Sequence, residues 1–565
     1  MNGNFLQPEV AVTRRHSYGV LPMLIWLLVL VSSLWAQEAA NPVRMGVPQD
    51  WTQHHLIFTR AGLIKHPSVL FSEPRIAQEV ARRWGSLRPQ MQPAVHPTGS
   101  LVAPQRDWSV SLLNRRIAAN MFPAKYSFNP GAPPSCQNDY VVFGLNGVGT
   151  TGGQANFVAF NNLYSGAPPG LCGAAPTVMF AYNISTVAAG RVSTSPVLSL
   201  DGKRIAFVET GAGSSIFHVI TWATGPGNGT IAASAAPGVG NGATMTSLTF
   251  AAALDTRSAP WVDYQTDTAY VGADDGKIYK ITGVFRGTPA LAGGFWPVTI
   301  SPNVRASTPV LDNVLGLLMV GVQNGTFFSI NITTGQVKAL VIGASGGRNP
   351  GILAAPIVDV TNGTSFVVSA NDGTSGVLVQ VDTASMTRLA TAPIGIASHG
   401  GTSVSLFQPA FSDDYFTDPS TGVARLCGTG AADVTPYQYS FGFTFSVPLG
   451  TFVMDTTPTF SEQLTTSTAA RCTGWTEFFN PFVNGGTDFF FFGLTVDCTG
   501  VGTSGCVIAR TNDDLDPLVT ANIAGGPSGI VVDNYSTAPQ ASSIYFSGVL
   551  SSNNTAYKFT QDGLQ

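Results

Sequence analysis

Side chains suited to acid–base chemistry are scarce over most of this chain. From residue 126 onward there are only two His residues, His218 and His399, and only three Glu residues. General acid–base catalysis near neutral pH most easily uses such groups. His399 stands in a polar Ser-His-Gly-Gly stretch, where we expect a loop. We retain it as a ligand-binding candidate and predict no catalytic residue.

Three clusters of Asp are the remaining polar candidates: Asp274-Asp275, Asp413-Asp414, and Asp513-Asp514 with Asp516. Calcium prefers several convergent oxygen ligands, but none of these clusters follows a calcium-loop template. We therefore expect Asp residues that form turns or face solvent, and keep Asp413 and Asp414 as ligand-binding candidates. The adjacent pair His54-His55 lacks a third ligand at a suitable spacing, so no metal site is predicted. We predict no cofactor, with calcium as the alternative.

Trp side chains could form the floor of a pocket. They stand at positions 222, 261, 296 and 475. A buried Trp that packs in a strand is the more common role. We nevertheless add Trp261 to the ligand-binding candidates.

The first 36 residues have the pattern of an export signal. Arg14 and Arg15 precede an apolar stretch from Val20 to Val31, which is followed by Ser32-Ser33-Leu34-Trp35-Ala36. The stretch is shorter than the about 20 residues that a membrane-spanning helix needs. We predict cleavage after Ala36 and a secreted or periplasmic protein without a membrane span, with an uncleaved signal anchor as the alternative.

Six Cys residues in an exported chain permit disulfide bonds, and six allow fifteen pairings. Cys498 and Cys506 bracket a Gly-rich turn that would bring facing strands together. Cys136 and Cys172 flank one group of strands, which leaves Cys427 for Cys472. We expect three structural disulfides without a redox role.

Composition and charge set the class of protein. With 44% apolar residues, 11% charged residues and a mean hydropathy of +0.19, the 565-residue chain buries a core. Abundant Gly, Thr, Ser, Val and Phe favour strands joined by tight turns. Residues 126–565 carry 15 Lys/Arg against 26 Asp/Glu, a net charge of −11, which argues against nucleic-acid binding. Residues 38–125 carry 11 against 5, a net of +6, so the two parts attract each other.

Internal repetition is the strongest pattern in the sequence. Short apolar strands begin next to a Pro and are followed by further strands and a turn. Asp275-Gly276, Asn324-Gly325 and Asp372-Gly373 are typical hairpin turns, because these pairs tolerate a positive φ. The Pro-started strands begin at Ser195-Pro196-Val197, Ala259-Pro260-Trp261, Thr308-Pro309-Val310, Ala355-Pro356-Ile357, Gln408-Pro409-Ala410 and Asn480-Pro481-Phe482.

Further strand groups before and after these bring the total to eight units. No unit can bury both of its faces alone, so the sequence predicts an all-β fold, an eight-bladed β-propeller. Seven blades is the alternative, if the irregular unit at residues 139–186 fails to form a blade. The strand at residues 121–128 has no unit of its own, and we expect it to close the ring as the outer strand of the last blade. The run Phe489 to Phe492 should lie in a blade strand covered on both faces.

Two segments resemble known propeller repeats. Tyr270-Val-Gly-Ala-Asp-Asp-Gly-Lys-Ile-Tyr-Lys-Ile281, with Thr308-Pro309-Val310, resembles the quinoprotein-type (PQQ-like) repeat. Leu200-Asp-Gly-Lys-Arg-Ile-Ala-Phe207 is similar to TolB-like repeats. The first resemblance implies a propeller, and in dehydrogenases of this type PQQ lies over a Trp beside a disulfide between adjacent Cys residues, with calcium. This chain has no adjacent Cys pair, so we do not expect PQQ.

The sequence thus divides into a signal peptide at 1–36, a leader segment at 37–120 and a propeller at 121–565. Within the leader, residues 73–84 fit a short helix with Ile76, Val80 and Trp84 on one face, which we expect to pack against the propeller or a partner. The leading hypothesis is a secreted, non-catalytic, monomeric scaffold that binds a protein or polysaccharide through loops at one end of the ring. The alternative is an exported quinoprotein-type oxidoreductase or a hydrolase.

Overall fold

The computed structural model describes residue 1 and residues 46–83, 103–119, 121–129, 134–166, 170–343, 351–395, 398–399, 402–403, 406–429, 435–480, 486–512, 518–533, 540–550 and 552–561. The predicted signal peptide therefore lies outside the described residues, apart from Met1. Residues 1–44 and 45–565 are separate units, and the fold below is that of the second unit.

Eight sheets of four or five strands follow one another along the chain, and we name them blades 1 to 8. Each blade begins at an inner strand and continues outward through antiparallel neighbours. The first four blades comprise Val47–Gln49, Ala124–Ser127, Tyr140–Gly144, Phe157–Asn161 and Thr177–Tyr182 (blade 1); Arg191–Val192, Val197–Leu198, Arg204–Gly211, Ser214–Thr221 and Thr244–Ala251 (blade 2); Trp261–Asp263, Thr268–Gly272, Lys277–Thr282, Ala290–Leu291 and Val298–Thr299 (blade 3); and Val310–Asp312, Leu317–Gly321, Thr326–Asn331 and Val337–Val341 (blade 4).

The other four blades are built in the same way. They comprise Leu56–Ile57, Ile357–Asp359, Thr364–Ser369, Val377–Asp382 and Thr387–Pro393 (blade 5); Ala410–Phe411, Ala424–Gly428, Tyr437–Phe441 and Phe460–Gln463 (blade 6); Thr476–Asn480, Thr487–Leu494, Cys506–Thr511 and Val519–Asn522 (blade 7); and Val531–Asp533, Ser543–Ser547, Thr555–Thr560 and Gln105–Ser111 (blade 8). Two small hairpins pair Ser398–His399 with Thr402–Ser403 and Phe443–Ser446 with Thr451–Met454.

Helices are short and few in the described ranges. Four α-helices span Arg60–Lys65, Val69–Ser72, Pro74–Arg83 and Asp413–Thr417, and two 3₁₀ turns span Trp51–His54 and Pro419–Thr421. The helix Pro74–Arg83 confirms the helix predicted in the leader, with Ile76 buried on its inner face.

Contacts between inner strands close the eight blades into a ring. They link blade 1 to blade 2, blades 3 to 5, and blades 6 to 8, and blade 8 contacts blade 1. Two tyrosines complete the circle: Tyr264 donates to the Leu198 carbonyl 2.6 Å away, and Tyr415 donates to Asp359 at 2.8 Å. The predicted eight-bladed propeller is therefore confirmed, and the unit at residues 139–186 forms its own blade.

The strand that closes the ring is not the one we predicted. Gln105–Ser111 pairs with Thr555–Thr560 and is the outer strand of blade 8, whereas Ala124–Ser127 is an inner strand of blade 1. The burial patterns explain the difference. All four residues of Ala124–Ser127 are buried, while Gln105–Ser111 is largely exposed, as an outer strand must be.

The turn and Pro signals are mostly confirmed. Gly276, Gly325 and Gly373 have φ values of +75°, +85° and +107°. Gly276 and Gly325 lie between the second and third strands of blades 3 and 4, and Gly373 lies between the third and fourth strands of blade 5. In five of the six Pro-started strands that the sequence predicts, an inner strand begins directly after the Pro. The sixth prediction is wrong, because the inner strand of blade 7, Thr476–Asn480, ends before Pro481.

The Phe run and the six Cys residues lie as expected. Phe489 and Phe491 pack in one apolar cluster, and Phe490 and Phe492 pack in another on the opposite face of blade 7. Three disulfides join Cys136 to Cys172, Cys427 to Cys472, and Cys498 to Cys506.

Candidate functional site

One end of the central channel is filled by the chain itself. Residues 47–83, which we call the plug, begin as a strand paired with Ala124–Ser127 of blade 1. Asp50 then accepts a hydrogen bond from the backbone N–H of Leu198 in blade 2 at 3.1 Å. Leu56–Ile57 runs parallel to the inner strand of blade 5, and Ser72 accepts from Asn313 after the inner strand of blade 4.

Two arginines of the plug helix Pro74–Arg83 attach it to further blades. Arg75 donates to the Val262 carbonyl in blade 3 at 2.7 Å, and its guanidinium lies 4.3 Å from the Trp261 ring. Arg83 forms 2.6 Å ion pairs with Asp413, which follows the inner strand of blade 6, and with Glu477 of blade 7. The expected attraction between the basic leader and the acidic propeller is confirmed by these pairs.

The surroundings of Arg83 set the protonation of the carboxyl groups around it. Burial raises the pKa of Glu79, but the charges of Arg82 and Arg83 outweigh it and bring that pKa to about 2. Burial raises the pKa values of Glu477 and Asp488, although Arg83 opposes this in both. The Arg83 cluster is therefore a buried ionic contact between plug and ring, which is costly to break.

The other end of the channel is an open cavity of about 760 Å³. Trp51 and His55 of the plug contribute to its wall, as do residues 146–148 after the strand Tyr140–Gly144, and residues that precede the inner strands provide most of the rest. Every blade takes part: the lining includes Phe122, Ser195, Ala259, Thr308, Ala355, Gln408, Gly474 and Gly529, from blades 1 to 8 in turn. Ligand sites in propellers and other closed folds are concave and few, so this cavity is the candidate site.

All four arginines of the cavity wall lie on one side of it, where apolar residues such as Phe122 also line the wall. Arg115, Arg191, Arg257 and Arg305 line it on the side of blades 1 to 4. Leu353 and Ala354, before blade 5, and Phe407, before blade 6, line the other side. The described lining residues include no Asp or Glu.

The sequence predicted binding through loops at one end of the ring but not the residues that line this cavity, although the repeats carry a signal for them. Arg191, Arg257 and Arg305 stand five, three and four residues before the Pro that starts the inner strands of blades 2, 3 and 4. An Arg at a similar offset in three successive repeats must point to the same end of the ring.

The four predicted ligand-binding residues lie elsewhere. Trp261 is fully buried, in edge contact with Trp51 at 5.7 Å. Asp413 pairs with Arg83, and Asp414 accepts a hydrogen bond from Asn512 at 3.0 Å. His399 lies in the small hairpin Ser398–His399. None of the four is among the residues that line the cavity, and ligand binding at them stays a prediction.

The other sequence candidates have structural roles where the structure describes them. The Trp side chains at 222, 296 and 475 are buried, and Asp275 accepts from the Lys277 backbone N–H in its turn. Burial lowers the pKa of His55 to about 3 and that of His54 to about 4. Asp513, Asp514 and Asp516 lie outside the described residues. Among the described residues, no group of His, Cys, Asp and Glu is placed to hold a metal, and no helix has the length and apolarity to cross a membrane.

A second constellation, unseen in the sequence, runs across blade 2. Glu209 and the His218 Nε2 atom are 2.8 Å apart, and His218 Nδ1 is 2.9 Å from the hydroxyl of Ser247. Burial raises the pKa of Glu209, but hydrogen bonds from His218 and Thr186 outweigh it, and the net pKa is lowered. An ionised Glu209 accepts a hydrogen bond from His218 Nε2. In the neutral tautomer of His218 that carries its proton on Nε2, Nδ1 accepts from the hydroxyl of Ser247, which is exposed. This is the order of groups found in serine nucleophile sites.

Comparisons with known proteins were made at the level of families, curated proteins and solved structures. No family model matches the chain, and no curated protein matches it. Solved structures do match, at low sequence identity.

Three of these solved structures illustrate the similarity. BamB from Moraxella catarrhalis is 10% identical, with 82% of this chain and 99% of that chain covered and a TM-score of 0.38. Sqt1 from Saccharomyces cerevisiae is 11% identical, with 81% and 99% covered and a TM-score of 0.46. The Dos1 propeller is 9% identical, with 81% and 95% covered and a TM-score of 0.48. The similarity is one of fold, and our assignment of the propeller rests on the eight sheets themselves.

Proposed function

We propose that this chain is an exported, non-catalytic scaffold that binds a protein segment in the open end of its channel. The observation that carries the proposal is the cavity of about 760 Å³ to which all eight blades contribute. A propeller holds such a cavity rigidly, because its wall is fixed by the inner strands. Three disulfides and the absence of a membrane-spanning helix among the described residues are compatible with an extracellular or periplasmic location.

The plug supports the proposal that the ligand binds at one end of the channel only. Its residues contact all eight blades, and its helices cover the ends of the inner strands opposite the cavity. A ligand would therefore enter only from the cavity side. We further propose that the scaffold works as a monomer, since a single chain completes both the ring and the cavity.

A bulky substitution at the cavity mouth tests the proposal. Ala119 lines the cavity and is exposed, so Ala119→Trp should fill the mouth without disturbing the core. Val239, 69% exposed on a loop that does not line the cavity, provides the matched control Val239→Trp. Pull-downs from the envelope of the producing organism are compared by quantitative mass spectrometry.

The proposal expects a protein that is retained by the wild-type chain and by Val239→Trp and is lost with Ala119→Trp. Retention of every protein by Ala119→Trp would contradict it, as would capture of an envelope polysaccharide alone. Dye reduction after addition of PQQ and calcium would instead support the oxidoreductase that the repeat resemblance suggests.

The row Glu209–His218–Ser247 favours hydrolysis as a second candidate function. In this reaction His218 Nδ1 would take the hydroxyl proton of Ser247 while the oxygen attacks an acyl carbon. The imidazole would then give that proton to the leaving group as its bond to the acyl carbon breaks, and water would hydrolyse the resulting acyl-enzyme. A fluorophosphonate reagent that labels the wild-type chain, but not Ser247→Ala, would support a hydrolase. Equal labelling of both proteins would reject this candidate.

A further inference from the structure

We propose that the ligand of the cavity is an acidic peptide segment that also carries apolar side chains. This inference rests on the proposed function and names the class of partner that the same cavity takes. It follows from the two sides of the cavity wall, the arginines on one side and the apolar side chains of Leu353 and Phe407 on the other.

The arginine side carries positive charge that the described part of the chain does not neutralise. Within the described ranges, Arg115, Arg191 and Arg257 form no ion pair with a carboxylate. Arg305 lies 3.5 Å from Asp274, with 45% of its side chain exposed. Four guanidinium groups thus face one cavity with a single carboxylate beside them.

The local electrostatics show that the guanidinium groups of Arg257 and Arg305 are close enough to interact. Burial and the charge of Arg305 lower the pKa of Arg257, and Asp274 only partly offsets them. Arg115 is held at the wall by hydrogen bonds to the carbonyls of Val148 and Asn114, each at 3.1 Å. Fixed Arg side chains bind carboxylates with good geometry, because their planar donors match the two carboxylate oxygens.

The apolar residues on the other side distinguish a peptide from other anions. Leu353 is 7% exposed and Phe407 is partly buried, and both face the same cavity. A uronic-acid polysaccharide or a free phosphate offers carboxylates or phosphate oxygens but no aliphatic or aromatic side chain to cover these residues. A peptide with alternating acidic and apolar side chains satisfies both sides at once.

The charge distribution of the whole chain makes the cavity selective. Residues 126–565 carry a net charge of −11, which repels acidic partners in general. The arginine side of the cavity is a local exception to this negative background, so an acidic segment is attracted there.

Fluorescence anisotropy with a defined probe tests the inference. The probe is a labelled heptapeptide, Leu-Glu-Phe-Glu-Leu-Asp-Phe, and its counterpart has Gln and Asn in place of the acids. Titration of the exported chain should show at least tenfold tighter binding of the acidic peptide. Arg257→Gln should weaken that binding about tenfold, since a hydrogen bond to a charged group is worth about one decade or more in affinity.

Two control variants separate the cavity from the overall charge. Arg106→Gln removes the same charge from the exposed outer strand of blade 8 and should leave the affinity unchanged. Arg305→Gln alters an exposed side chain, so it keeps the test valid if Arg257→Gln melts at a lower temperature. Phe407→Ala should weaken the binding of the acidic peptide and of its amide counterpart to the same extent.

Three outcomes would overturn the inference: equal binding of the two peptides, equal loss of peptide affinity with Arg106→Gln and Arg257→Gln, or Arg257-dependent binding of polygalacturonate with no binding of the peptide.

The scaffold proposal is judged separately. If Ala119→Trp abolishes capture but the peptides bind equally, the scaffold stands and the preference for acidic segments is wrong. If Ala119→Trp captures the same proteins as the wild-type chain, the proposed function fails as well.

Discussion

Arg83 is the residue on which the attachment of the plug most depends. It comes from the plug helix, is 4% exposed, and bridges Asp413 and Glu477 from two blades more than three hundred residues further along the chain. Its guanidinium also lies 3.7 Å from the ring of Phe416. The side chain thus combines charge pairing with packing.

Replacing Arg83 with Met should strongly destabilise the protein. The change leaves the buried Glu477 and the partly buried Asp413 without their cation, and breaking a buried pair in this way costs about 3–5 kcal/mol. Urea unfolding followed by circular dichroism measures the loss. Arg106→Gln, at an exposed position, should stay within about 0.5 kcal/mol of wild type, and an equally small effect of Arg83→Met would show that the plug is loosely held.

Glu209 should make the stability depend on pH in the acidic range. Its pKa lies below the ordinary 4.5, so its stabilising contacts are fully present above that value and are lost as the pH falls through the lower, folded pKa. The unfolding free energy of wild type should therefore approach that of Glu209→Gln as the pH drops below 4.5. A constant difference between the two proteins down to pH 2 would contradict this assignment.

Little at the residue scale could be predicted from the sequence. The pairing of Asp413 with Arg83 spans 330 positions, and no local pattern reveals it. The cavity arginines belong to separate repeats, so only an alignment of the repeats with one another could bring Arg191, Arg257 and Arg305 together. The disulfide pairing of the six Cys residues was easier to predict, because short separations and intervening turns limit the possible pairs.

Among the elements, the closing strand Gln105–Ser111 decides whether the ring is continuous. Trp108 at its centre is buried, and its indole N–H donates to the Leu163 carbonyl of the blade 1 region at 2.9 Å. The strand therefore completes blade 8 and also fastens it to blade 1.

Trp108→Ala should cost about 3–5 kcal/mol, as other truncations of large buried aromatic side chains do. Thermal and urea unfolding measure the change. Val110→Ala on the same strand removes a smaller, partly buried side chain and should cost much less. If the two variants lose the same small amount, the ring does not depend on this strand.

Each disulfide should stabilise the folded protein more, the longer the loop that it closes. The Cys427–Cys472 bond spans 45 residues and the Cys498–Cys506 bond spans 8. On the chain-entropy estimate, these loops correspond to about 4 and about 2.5 kcal/mol, respectively. Paired Cys→Ser variants, unfolded in urea, should show this order, and the reverse order would indicate that native packing around the bonds outweighs loop entropy.

The elements were largely predictable, with one instructive failure. Hairpin turns and Pro-started strands are local signals, so blades 3 to 5 follow directly from the sequence. The closing strand was missed because its sequence, Gln-Arg-Asp-Trp-Ser-Val-Ser, has few apolar residues, as an exposed outer strand does. The more apolar strand at 124–127 looked like the better candidate, but its burial suits an inner position.

At the scale of the whole molecule, the chain closes one end of its own channel and leaves the other open. The plug precedes the blades in the sequence and contacts all of them. Because the plug is not itself a repeat, the repeat pattern does not predict it. The repeats predicted the ring because radial packing is the economical way to cover both faces of each sheet. They could not predict the plug, because its contacts are individual ion pairs and hydrogen bonds.

Site-specific photocrosslinking tests the central claim, a binding cavity at the open end, most directly. Benzoylphenylalanine is placed either at Ala119, at the cavity mouth, or at Phe71, which is 62% exposed on a plug helix. Each protein is irradiated in the envelope of the producing organism, and the adducts are identified by mass spectrometry. Our account predicts a discrete protein adduct from position 119 and none from position 71. An adduct from position 71, with none from position 119, would contradict it.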